Sequence, residues 1–252
     1  MTTPWLPFPA RSHRPAVVCF PPAGAGASFY APWRRRFRNA AFDVLPVQLP
    51  GRETRLSEPL VPELSKLTVD AADALADELP GSYLFFGHSM GAAFAFELAQ
   101  ELEQRGMSGP RSLIVSACAS PSFESNGPAL RDAPDAELVR LLDRLGSFPP
   151  TLRSHTEFIS LVIPILRSDI AMCETHRVDR ERRINCPLTA ISGADDTEPT
   201  PQTMSDWVRH TSLAFTQHVV PGGHHYFEES NAFYDLLEHL AIGTVNPGQE
   251  RR

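Results

Sequence analysis

Lysine is nearly missing from this sequence: of 23 basic residues only Lys66 is a lysine, and the others are arginine. That scarcity removes lysine Schiff-base chemistry unless Lys66 carries it from within a charged helical pattern. Cysteine is sparse too. Cys19, Cys118, Cys173 and Cys186 show no C-x-x-C spacing and no neighbouring ligand cluster, so neither a zinc site nor a redox pair is expected. No stretch approaches the roughly 18 apolar residues of a membrane span. The opening "MTTPWLPFPARSHRP" has no basic region leading into an apolar one. The expectation is a cytoplasmic protein without disulfides and without a membrane partner. A net charge of −7 gives no electrostatic reason to expect a nucleic-acid partner.

What is present is a globular composition, with 42% hydrophobic residues, in a chain of 252 residues. One α/β domain spanning 1–252 accommodates that length. Short runs rich in β-branched and aromatic residues recur: "AVVCF" (16–20), "FDVLPVQL" (42–49), "YLFF" (83–86), "LIVSA" (113–117), "LTAIS" (188–192) and "FTQHVV" (215–220). Each is closed by glycine, proline or small polar residues and reads as a strand. Helical patterns lie between most of them, such as "ELSKLTVDAADALADEL", where Leu64, Leu67, Ala71, Leu75 and Leu79 share a face. Alternating strands and helices imply a mainly parallel sheet covered on both sides.

The alternation breaks once, across about seventy residues between "LIVSA" and "LTAIS". Two amphipathic patterns lie there: Leu138, Leu141, Leu142 and Leu145 on one face, then Phe158, Leu161, Val162, Ile165 and Leu166 on another, interrupted by Pro164. Ligands bind such sheets at the carboxyl ends of the strands, so an insertion over roughly 121–185 is expected to be a helical lid. The terminal "NPGQERR" is expected to fray.

Gly87-His88-Ser89-Met90-Gly91 matches G-x-S-x-G directly after a predicted strand and before a predicted helix. In that setting the serine hydroxyl stands exposed on a sharp turn, and the flanking glycines allow strand and helix to approach closely. A serine nucleophile needs an imidazole base and a carboxylate to orient that base, in the chain order Ser, acid, His. "ISGADD" offers Asp195 and Asp196 after one later strand, and "PGGHHYF" offers His224 and His225 after the last. The oxyanion of the intermediate needs two N–H donors. Met90, after the nucleophile, is one, and Ala23 is the best placed donor in the glycine-rich "CFPPAGAGASFY". That loop lacks both the G-K-[ST] ending of a phosphate cradle and the G-x-G-x-x-G spacing of a dinucleotide fingerprint.

From "VVCFPPAGAGASFYAPW" through "VQLPGRETR", "FFGHSMGA" and "PILRSD" to "ISGADD" and "PGGHHYF", the chain resembles the stand-alone type II thioesterases of polyketide synthase and non-ribosomal peptide synthetase pathways. The resemblance implies an α/β-hydrolase fold with a helical lid and no cofactor. It also implies hydrolysis of stalled acyl groups from the phosphopantetheine arm of acyl or peptidyl carrier protein domains. On these motifs the nucleophile is Ser89, the acid Asp196 and the base His224. His225 stands where the family commonly has an aromatic, and Pro22 where members often have histidine. The roles of Arg52, Arg167 and Asp169, which lie in the two most particular motifs, stay open. Two other readings remain: a broad carboxylesterase or acyltransferase of the same fold, and a non-catalytic carrier-binding module. Carrier proteins are usually acidic, as this chain is, so docking must use local charge or apolar contacts. Arg34, Arg35 and Arg36, or Arg180, Arg182 and Arg183, are the candidate basic patches.

Overall fold

The computed structural model describes residues 3–11, 14–123, 129–144, 155–176, 181–228 and 230–243. Leu145, Arg180, the terminal 246–252 and parts of the 121–185 insertion lie outside these residues. Among the described residues six strands form one parallel sheet in the order β2-β1-β3-β4-β5-β6. They are β1 (Ala16–Phe20), β2 (Asp43–Pro46), β3 (Tyr83–His88), β4 (Leu113–Ser116), β5 (Leu188–Gly193) and β6 (Phe215–Val220). The helices are α1 (Ala31–Arg36), α2 (Leu64–Leu75), α3 (Met90–Gln104), α4 (Asp135–Arg144), α5 (Thr156–Thr175), α6 (Pro201–Met204) and α7 (Asn231–Gly243). Among the described residues no helix is long and apolar enough to cross a membrane.

Because side chains alternate along a strand, each strand feeds two cores. Val18, Phe20, Phe85 and Val115 point to the side carrying α2 and α3, where Leu67, Phe94, Leu98 and Trp207 complete the packing. Val17, Cys19, Phe86 and Ile114 point the other way, against Trp33 of α1 and Phe233 and Leu237 of α7. The chain steps from β1 outward to β2, then returns across β1 to β3. That reversal makes the carboxyl ends of β1 and β3 a topological switch point, the usual place for a ligand crevice.

Two elements stop several residues short of their patterns, and β4 ends one residue early, at Ser116. β2 ends at Pro46, whose ring removes a ladder donor. Val47 N–H still reaches the Cys19 carbonyl at 2.9 Å, but Gln48 N–H turns to Trp5 of the amino-terminal segment, also at 2.9 Å. α2 stops at Leu75, and Leu79 continues the apolar face from a turn ahead of Pro80.

Between β4 and β5, α4 and α5 build a small core of their own from Leu138, Leu142, Ile163, Leu166 and Ile170. The expected face of α5 is corrected at Leu161, which is 48% exposed. α5 serves two partners, α4 through Ile163, Leu166 and Ile170 and the main core through Met172. A single stripe does not describe such a helix.

Candidate active site

β3 ends at His88 and α3 begins at Met90, leaving Ser89 alone to make the turn with φ 53° and ψ −125°. A non-glycine residue held there costs about 1–3 kcal/mol, which the surroundings must supply. Ser89 N–H donates to the Ser116 carbonyl at 2.8 Å, and its own carbonyl accepts from Ala92 N–H at 2.9 Å. The two motif glycines are required by contact. A Cβ on Gly87 would lie 2.2 Å from the Gly91 carbonyl oxygen, and one on Gly91 would lie 2.1 Å from that of Phe20. The turn thus holds the start of α3 against the beginning of the glycine-rich loop.

The loops after β5 and β6 meet by the same device. A Cβ on Gly193 would fall 2.3 Å from both the Gly222 and Gly223 carbonyl oxygens. Asp195 N–H also donates to the Gly222 carbonyl at 2.9 Å. Asp196, the next residue, points inward and meets His224 Nδ1 through Oδ2 at 2.9 Å, with both side chains buried. Its Oδ1 accepts from Glu198 N–H at 3.2 Å. Since a carboxylate only accepts, Nδ1 carries the proton and Nε2 is left as an acceptor. Asp195 is exposed. The His224 ring lies 5.0 Å from that of His88, the residue before Ser89. Among the described residues the hydrogen-bond partner of the His224 ring is Asp196 and not Ser89.

His225 turns away from Asp196 into a cluster with His88 at 5.2 Å, Phe227 at 5.6 Å and Phe29 at 5.9 Å. Burial pushes its pKa down to about 4, His224 adds to that shift, and Asp196 opposes it. His88, which sequence reasoning did not single out, is wholly enclosed; burial first, then His224 and His225, hold its pKa well below the usual histidine value. Its Nδ1 meets Ser116 Oγ at 2.8 Å, and that hydroxyl meets Tyr226 OH at 2.6 Å. A neutral imidazole in an aromatic wall therefore backs both Ser89 and His224. The only sequence signal for it was its place inside G-x-S-x-G.

In the loop after β1, Gly24 N–H is taken by Asp169 at 2.8 Å and Ala25 N–H by the Pro22 carbonyl at 3.1 Å. Ala23 N–H has no acceptor among the described residues. Met90 N–H opens α3, where no intrahelical acceptor exists. The "LPGRETR" segment grips this loop. Glu53 accepts from Ser28 N–H and hydroxyl, and Gln48 Oε1 accepts from Ala27 N–H at 3.1 Å. Arg52 Nη1 donates to the Ala25 carbonyl at 3.1 Å and pairs with Asp169 of α5 at 2.6 Å. Arg167 joins α5 to the entry of α4 by donating to the Arg131 and Ala133 carbonyls and to Asp135. A cavity of about 540 Å³ opens beside Asp196, Gly223 and His224 and is bounded by Leu141 and Arg144 of α4.

A family model for the thioesterase domain matches residues 15–242. The chain belongs to the thioesterase family. It is a hydrolase acting on thioesters. It is 35% identical over 227 residues to linear gramicidin dehydrogenase LgrE of Brevibacillus parabrevis, covering 88% of this chain and 86% of that protein. The word dehydrogenase belongs to that relative; the loop after β1 here lacks the dinucleotide spacing. Against a probable cadicidin biosynthesis thioesterase of Streptomyces griseus, identity is 38% over 223 residues, 88% of this chain and 60% of the relative. The fold of this thioesterase superposes on the type II thioesterase BorB from the borrelidin biosynthetic cluster with a TM-score of 0.85. Identity there is 32%, over 97% of this chain and 99% of that one. With these neighbours the parallel sheet and its flanking helices are an α/β-hydrolase fold.

Proposed function

We propose that this thioesterase releases stalled acyl groups from phosphopantetheine arms of acyl or peptidyl carrier proteins in polyketide or non-ribosomal peptide pathways. Ser89, His224 and Asp196 form its triad. The observation that carries the reading is the buried Asp196–His224 bond, 2.9 Å long, set beside a serine on a strained turn. The relatives named as thioesterases of biosynthetic clusters support a thioester of a biosynthetic pathway as the substrate.

His224 Nε2 takes the Ser89 proton as Oγ attacks the thioester carbonyl, and Ala23 and Met90 N–H groups hold the oxyanion. Collapse breaks the carbon–sulfur bond, and His224 returns the proton to the departing thiolate. Water then attacks the acyl-serine with His224 again as base, freeing the acid and restoring Ser89. α4 and α5 act as a lid over a single hydrolase domain.

Ser89→Ala is expected to lower kcat by at least about 10⁴-fold on acyl-carrier substrate. Wild-type turnover by that variant would end this mechanism. Faster turnover of simple aryl esters than of acyl carrier would favour a broad esterase instead. Failure of a fluorophosphonate to label Ser89 would favour a non-catalytic module.

A further inference from the structure

Between the glycine-rich loop and α5 lies a closed ionic contact that the hydrolytic steps do not consume. Asp169 on α5 is fully buried, and Arg52 is 4% exposed. The guanidinium takes both carboxylate oxygens, Nη1 to Oδ2 at 2.6 Å and Nη2 to Oδ1 at 2.7 Å, the geometry of a strong bidentate pair. Oδ2 also accepts from Gly24 N–H at 2.8 Å, while Arg52 Nη1 holds the Ala25 carbonyl at 3.1 Å. One ion pair thus fixes two consecutive residues immediately after Ala23.

The peptide between Ala23 and Gly24 is planar, so anchoring Gly24 N–H sets its orientation. Ala23 N–H lies only one residue back, separated by two soft dihedrals. Gly24 itself has φ +79°, a conformation open to glycine because it has no Cβ, and Leu166 of α5 lies 3.6 Å from where its Cβ would be. We propose that Asp169, held by Arg52 and carried on α5, is a positioning residue that aims Ala23 N–H into the oxyanion hole. The lid and the hole are then one device. This inference rests on the proposed Ser89 mechanism.

Two double variants separate aiming from simple bracing, because both replace the buried charges with neutral side chains. Arg52→Met with Asp169→Leu removes the acceptor for Gly24, whereas Arg52→Met with Asp169→Asn keeps an amide oxygen for it. Thermal melts of both are measured first. The Leu form is expected to lose about 100-fold in kcat, with KM changed less than about threefold. Its affinity for a trifluoromethyl ketone, which forms a tetrahedral adduct on Ser89, falls by the same factor. The Asn form keeps kcat within about fivefold of wild type. Equal kcat in the two forms, or a fall in kcat without a fall in ketone affinity, overturns the proposal. If the Leu form does not fold, Arg52→Lys serves: it cannot take both oxygens and Ala25 together, and an unchanged kcat there also overturns it. Ser89→Ala is run in parallel. Activity in that variant defeats the underlying mechanism, while an inert Ser89→Ala beside a fully active Leu form defeats only the positioning role.

Discussion

His224 and His225 are neighbours whose rings stand 89° apart, and that turn separates their surroundings. Both lie beside the buried His88 imidazole, but one ring meets a carboxylate and the other two phenylalanines. His224→Ala is expected to cost at least about 10⁴-fold in kcat, whereas His225→Phe, a ring of similar shape among rings, should stay within about fivefold of wild type. Steady-state kinetics on both decide the matter, and the reverse order would mean that the loop register is misassigned. His225 also carries a stability cost that depends on pH. Its folded pKa, about 4, lies below the ordinary value of 6.5, so the unfolded chain binds the proton more readily. Stability is therefore full above the unfolded pKa and is lost as pH falls from about 6.5 towards 4. One pKa unit is about 1.36 kcal/mol, so the loss by pH 5 is on the order of 2 kcal/mol. Urea unfolding should show His225→Phe matching wild type at pH 7.5 and exceeding it at pH 5. His88, depressed in the same direction, remains in both proteins and leaves the variant some acid sensitivity.

Among the elements, the turns that end β3 and β5 do the positioning, and both work by admitting no side chain. Gly193→Ala would drive a methyl into the Gly222 and Gly223 carbonyls and push the His224 loop away from Asp196. Expected is a loss of about 1–3 kcal/mol in stability. A fall in kcat larger than in a stability-matched core variant should accompany it. A kcat that tracks stability alone would show that the loop re-forms around the methyl. The turn after β3 was legible in the sequence because close approach of strand and helix selects the glycines of G-x-S-x-G, and all six strands were legible because short runs rich in β-branched and aromatic residues mark them. Less was legible where an element answers to several partners. α5 faces both α4 and the main core, so its stripe misplaced Leu161. The Arg52–Asp169 pair joins residues 117 apart, and no local period can announce such a contact. His88 escaped notice for another reason: a single histidine inside a motif carries no sign of being enclosed by Phe29, His224 and Phe227.

For the whole molecule, the direction of the sheet decides which surface the proposed carrier-protein substrate would have to reach. Ser89, Asp196 and His224 all follow the carboxyl ends of strands, so the phosphopantetheine arm of the proposed substrate enters at that edge. The arginines that stood out in the sequence lead elsewhere. Arg34, Arg35 and Arg36 end α1 as the chain descends towards the start of β2, and Arg182 and Arg183 precede β5. Several are already engaged: Arg34 lies 3.7 Å over the Phe8 ring, Arg36 lies 4.3 Å over Tyr234, and Arg182 bonds Gln100 at 3.2 Å. By contrast Arg144, exposed in the last turn of α4, borders the cavity beside His224. An acidic carrier approaching a chain of net charge −7 gains from a local cation only where the two surfaces meet. Arg35→Glu with Arg36→Glu should therefore leave KM for an acyl carrier within about twofold. Arg144→Glu should raise it about fivefold, as expected when an exposed attraction of about 1 kcal/mol is lost. Neither change should alter KM for acyl pantetheine, which has no protein surface to dock. If the α1 pair raised KM for the carrier and Arg144 did not, the carrier would have to lie along the flank of α1, with its arm bent over the top of β1 to reach Ser89.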